Sequence, residues 1–342
     1  MKQKQPEKKT FSAEQLERGS TLLFGLFWIL AALSWAMRLH LVISLMDHET
    51  GFYWSNSRMI PIFNIAVAVS VALLCGCGFF WGRTCQRLEG AHLSYHPAHR
   101  WISVWLGLFA LTIGYTSAAR LLNRSAEILP DSAATSGHAV SLAVDVLGIL
   151  AALVLLWVAF RGLVHKGSSP GPLFFNGWLM AVPVLWQLFS LLTTYLSSPV
   201  RSGDSERVLE TVVEVGFLLF LFFHAKVLSG MDSLSGLPLG LLSGLAGGYL
   251  AIVYGLPGLS WDVSAGGLGG VQESHLSSAL LGVYMVLFCG ELLRQQAAQL
   301  QRSQGGSGDQ PSAAASKEDR EGGAQAEAQQ EGNEPDAAGQ EG

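Results

Sequence analysis

The chain has 342 residues, of which half are hydrophobic and 14% charged, against about 25% charged in an ordinary globular protein. That balance, with four cysteines and no basic or heptad pattern, excludes a nucleic-acid binder, a disulfide scaffold and a coiled coil, and it points to a membrane. The net charge of −5 comes from the end of the chain: residues 303–342 hold nine acidic and two basic side chains, which leaves the first 302 residues at +2.

Residues 1–19 read as a basic N-terminal segment on the cytoplasmic side. Within it, Ser12 and Gln15 have capping-box spacing, so the helix is expected to start near Ser12. Eight apolar stretches then follow, each long enough for a hydrocarbon core of about 30 Å, which takes about 20 helical residues. They run from Ser20 to Leu45, Met59 to Gly82, Trp101 to Ala119, His138 to Phe160, Pro172 to Leu196, Val208 to Leu228, Leu237 to Leu256 and Leu276 to Leu293. Lipid offers no partner for a bare backbone amide, and nothing alternates with period two as a barrel strand would. The expected fold is therefore all-α: a polytopic membrane helical bundle over 20–302, its eight transmembrane helices paired in hairpins. A secretory signal over 1–34 is the competing reading, but the first apolar run exceeds the usual core of about 7–15 residues, so a permanent anchor is expected.

Orientation follows from lysine and arginine, which stay on the cytoplasmic side of short loops. With the N-terminus inside, thirteen of them fall on inner segments and six on outer ones, namely Arg38, Arg58, Arg120, Arg124, Arg201 and Arg207. Both termini are accordingly expected to be cytoplasmic in a cell-membrane protein. Beyond Gln301 the composition changes abruptly: residues 303–342 contain no Phe, Trp, Tyr, Leu, Ile, Val or Met and are expected to form a disordered acidic tail.

Ionisable groups inside a membrane cost about 2.5–3.5 kcal/mol each at the centre of a helix on insertion scales, so each needs a reason. Asp145 and Glu214 lie deepest, both in the outer half. Arg207, Glu210 and Glu214 share one face of the sixth helix. Arg38 and Arg120 sit at similar height on the first and third helices, which align weakly at an offset of 82 residues, as a parallel repeat would. Arg38, Arg120, Asp145, Glu210 and Glu214 are thus candidates for an outer-leaflet polar cluster that binds a small charged solute, arginine taking a carboxylate or phosphate and the acids an amine. The structural alternative is that Arg38 with Asp145, or Arg120 with Glu214, neutralise each other and fix helix packing. Glu291 is expected to pair with Arg294, and His224 and Lys226 to lie at the inner interface.

The seventh helix carries Gly236, Gly240, Gly244 and Gly248, a glycine every fourth residue, which predicts a small-residue face for close helix packing. That face suits packing within the chain, or else contact with a homo-oligomer or another membrane partner. The loop holding Cys85, His92, His96 and His99 matches no zinc spacing, and no metal or cofactor is expected. The stretch Asp47-His48-Glu49-Thr50-Gly51-Phe52-Tyr53 resembles one in uncharacterised multi-pass bacterial membrane proteins; it spans seven residues and implies no activity. No nucleotide-binding, metalloprotease or nucleophile-elbow motif occurs, so a non-enzymatic protein is expected, with the lipid bilayer as its first partner. A membrane scaffold or sensor component is the alternative function.

Overall fold

The computed structural model describes residues 13–46, 57–86, 99–127, 136–164, 175–197, 205–231 and 234–305. They form eight helices: α1 (Ala13–Ser44), α2 (Met59–Gln86), α3 (Arg100–Glu127), α4 (Ser136–Val164), α5 (Gly177–Ser197), α6 (Ser205–Leu228), α7 (Leu237–Gly266) and α8 (Glu273–Gly305). Each is long and apolar enough to cross a membrane, and no strand occurs among the described residues. The chain divides into a unit covering Met1–Leu300 and a second, Gln301–Gly342, described only in the last turn of α8. The first loop and most of the histidine-containing loop after α2 lie outside the described residues.

α1 is described from Ala13 onward, and Ser12, which the capping spacing marks, lies outside the described residues. α7 begins with Pro238 in its first turn, where a missing amide is harmless, and it is capped by Gly267, whose φ of 62° suits a residue without Cβ.

Apolar side chains cover the outside of the bundle. Leu22, Ile29, Ile65, Leu122, Trp178 and Leu196 are each more than 60% exposed, and similar residues continue around α1 to α6. In water so large an apolar surface would drive association; against acyl chains it costs nothing. α7 differs sharply. Its apolar window is 83% buried, against 17% for α2 and α5, so it is the central helix.

Close packing around α7 depends on glycine, but on more glycines than the fourfold stripe suggests. α1, α2 and α6 all pack on α7. On α2, Gly78 and Gly82 face α7: a Cβ on Gly78 would stand 3.1 Å from the backbone of Leu241, and one on Gly82 would overlap the Cα of Pro238. Where α6 crosses, Gly216 meets Gly247, at 3.1 Å for an added Cβ. α8 comes closest at Gly255, where a Cβ would lie 2.7 Å from the carbonyl oxygen of His275, and at Gly248, 3.1 Å from that of Gly282. Within the stripe itself, Gly240 lies under the Phe223 ring and Gly244 under the Cys289 sulfur and Phe220, while Gly236 belongs to a 3₁₀ turn ahead of the helix. The stripe is thus covered by α6 and α8 of the same chain.

Gly82→Ala should destabilise the protein by about 1–3 kcal/mol, because the new methyl meets backbone that cannot step aside. Gly25→Ala, where an added Cβ meets nothing within 4 Å, should be neutral or stabilising by up to about 1 kcal/mol. Thermal unfolding of the two variants in one detergent compares them directly, and equal melting temperatures would refute the close α2–α7 contact.

Candidate functional site

Five helices bring polar faces together at one end of the bundle. Helical periodicity puts Phe109, Ile113, Thr116, Ser117 and Arg120 on one face of α3, and Trp186, Gln187, Ser190 and Thr194 on one face of α5. The same spacing aligns Glu210, Val213, Glu214 and Phe217 on α6. Together with Val144 and Asp145 of α4 and Glu273, Ser274, Ser277 and Ser278 of α8, they line a cavity of about 180 Å³. The C-terminal halves of α3 and α5 therefore meet the N-terminal turns of α6 and α8, with the early part of α4 between them. Gly148 on α4 makes room nearby: a Cβ there would stand 3.0 Å from the indole nitrogen of Trp186 and collide with the Ser117 hydroxyl.

Asp145 and Glu214 each lie nine residues into their helices, about 13 Å along the axis. Asp145 is 2% exposed. Oε2 of Glu214 is buried and has no hydrogen-bond partner among the described residues. The Gln187 side chain donates to the backbone carbonyl of Glu214 at 3.4 Å, tying α5 to α6. Above them, Arg207 donates to Glu210 at 2.8 Å and to the Thr194 carbonyl near the end of α5 at 3.2 Å. Arg120 and Glu273, paired at 2.6 Å, are half-exposed at the rim.

A second network adjoins the cavity. Arg38 in the later part of α1 is buried, donates to Glu206 in the first turn of α6, and lies with its guanidinium carbon 5.5 Å from the centre of the Tyr254 ring. The Tyr254 ring meets His275 at 5.2 Å. Nδ1 of His275 is 2.8 Å from Asp262, and the same carboxylate oxygen accepts the backbone N–H of Gln272, also at 2.8 Å. This chain of contacts pins the turn between α7 and α8 and sets the angle at which α8 presents its serines.

Four of the five sequence candidates, Arg120, Asp145, Glu210 and Glu214, share the cavity wall, whereas Arg38 belongs to the second network. The expected charge pairs are replaced. Arg38 pairs with Glu206 rather than Asp145, and Arg120 with Glu273 rather than Glu214. Both observed pairs join an arginine in the later part of one helix to a glutamate in the first turn of another, where the helix dipole favours the acid. Arg294 likewise turns away from Glu291: it donates to His99 at 2.7 Å, while Glu291 accepts from Gln295 at 2.8 Å. His224 is not interfacial but buried, 2.7 Å from the Tyr284 hydroxyl and packed against Phe220 and Phe288. Lys226 keeps its expected place near the helix end, over the Phe222 ring.

Sequence reasoning missed Glu206, Asp262, Glu273 and His275, together with the serines of α8. Glu206 and Glu273 stand at helix starts, where an acid is favourable without any function, and Asp262 follows the apolar run that ends at Leu256. No pattern in the chain singles them out. No family model, curated protein or solved structure matches this chain.

Glu206→Gln or Arg38→Gln should each lower stability by about 3 kcal/mol, since removing one partner strands the other charge. The double exchange Arg38→Glu with Glu206→Arg should recover part of that loss, as read by thermal unfolding; an exchange no more stable than its single variants would refute the pairing.

Proposed function

We propose that this chain is a non-enzymatic, permease-like or binding protein of the cell membrane that takes a small charged solute into the cavity between α3, α4, α5, α6 and α8. The observation that carries the reading is the cavity itself. Charged, hydroxyl and amide groups line a space large enough for a small molecule, in a helical bundle whose outer surface suits lipid. Burying carboxylates at this depth without use is costly. An apolar cavity of about 150 Å³ holds a benzene molecule, so a solute of comparable size fits here.

Positive-inside asymmetry supports a topology with both termini in the cytoplasm and the cavity in the outer leaflet. An impermeant label on intact cells should then miss tags at either terminus, and labelling of either tag would reverse or break this topology. A scaffold role through the glycine face of α7 gains no support, because Phe223, Phe220, Cys289 and Gly282 of the same chain occupy it.

Thermal unfolding of the purified full chain against a panel of amino acids, amines, carboxylates and phosphate tests the binding reading. At least one solute should raise the melting temperature, and both Glu214→Gln and the cavity-filling Ser278→Leu should remove that rise. No rise with any solute, or an unchanged rise in both variants, would refute it.

A further inference from the structure

The sign of the charge in the wall narrows the solute. One arginine, Arg120, faces four carboxyl groups: Asp145, Glu210, Glu214 and Glu273. Counting Arg207, which reaches Glu210 from outside the wall, the balance is still two against four. Whichever way the ion pairs are drawn, acids are in excess, and in a setting of low dielectric an added anion would be opposed while a cation would be drawn in. Oε2 of Glu214, buried without a hydrogen-bond partner among the described residues, is an acceptor that a donor cation would satisfy.

The layout of the carboxyl groups separates organic cations from metal ions. A divalent metal needs several oxygen ligands converging on one point within about 2.0–2.6 Å. Among the described residues no three acidic, histidine or cysteine side chains are so gathered. The acids instead lie around a cavity of about 180 Å³, several times the space of a bare ion. Three aromatic rings, Phe109, Trp186 and Phe217, complete the wall and offer the π faces that attract ammonium groups. The serine and threonine hydroxyls can accept from N–H donors or from a hydroxyl on the solute.

We infer that the cavity selects a small organic ammonium ion, its positive end directed to Glu214 and its alkyl part set against the aromatic rings. The inference rests on the binding reading above and goes further by fixing the solute's charge and chemical class.

The test uses the purified full chain in detergent at constant ionic strength, following the melting temperature and tryptophan fluorescence. The probes are choline and n-butylammonium chloride, compared with sodium chloride, calcium chloride, sodium acetate and sodium phosphate. The two ammonium salts should stabilise the protein and change its fluorescence, and the other four should not. Glu214→Gln should weaken n-butylammonium binding at least about 10-fold, as expected for loss of a charge-assisted hydrogen bond, and should also weaken binding of choline, whose quaternary nitrogen has no N–H and is attracted by charge alone. Arg120→Gln should tighten it, because the wall loses a positive charge. These opposite directions keep the test informative even if one variant fails to fold.

Stabilisation by acetate or phosphate alone would overturn the inference and leave the binding reading standing. Stabilisation by calcium alone would also overturn it, in favour of a metal ion. Weaker ammonium binding in Arg120→Gln counts against it as well. No response to any probe overturns this inference, whereas such silence refutes the binding reading only when it extends to the wider panel, amino acids included.

Discussion

A helix in lipid has little hydrophobic reason to leave its solvent for another helix, so association must come from close packing and from polar contacts that lipid cannot replace. In this bundle both converge on α7. Its neighbours approach until backbone meets backbone, at Gly82 with Pro238, Gly216 with Gly247 and Gly255 with Ala279. Small residues make that approach permissible, and dispersion forces between the close surfaces stabilise it. The peripheral helices need no such economy. They turn leucine, isoleucine and phenylalanine outward and keep only a narrow inner face.

The polar contacts sort by kind along the bundle. Towards its middle they are neutral pairs that satisfy one another, such as Ser34 with Tyr249 at 2.6 Å and His224 with Tyr284 at 2.7 Å. At the cavity end they are charged: Arg38 reaches Glu206, Arg120 reaches Glu273 and Arg207 reaches Glu210. Charge near the ends of helices is cheaper than charge at their centres, because the helix dipole and the proximity of water both help. The cavity lies where these conditions meet. It is held open by residues committed to other partners: Arg120 by Glu273, Glu210 by Arg207, and α8 by the Asp262–His275 contact.

Beyond the cavity the contact between α6 and α8 is aromatic. Phe217 closes the wall, and Phe220, Phe288, Tyr284 and His224 stack behind it with ring centres 4.9–6.1 Å apart. Such a cluster is a buried aromatic plug between the helices that frame the polar pocket. A solute bound at Glu214, as proposed, would therefore face rings rather than a polar path, and any passage across the bundle would require α6 and α8 to move relative to each other. Gly247 on α7 lets α6 lie close to it, and Gly282 does the same for α8.

Hydropathy alone determined the class of this protein, the number of its helices and their approximate limits, because the thickness of a bilayer acts on each segment separately and leaves its mark on local composition. Periodicity likewise brought Glu210 and Glu214 onto one face, and the seventh helix was recognisable as a close-packing element from its glycines. What needed the tertiary structure was the choice of partner. Nothing local distinguishes Glu206 from Asp145 as the mate of Arg38, or Glu273 from Glu214 as that of Arg120, since those contacts join residues more than 150 positions apart and depend on how the helices are ordered around α7. The cavity was invisible for the same reason. Its serines, its rings and its acids come from five helices, and only their packing makes them one surface.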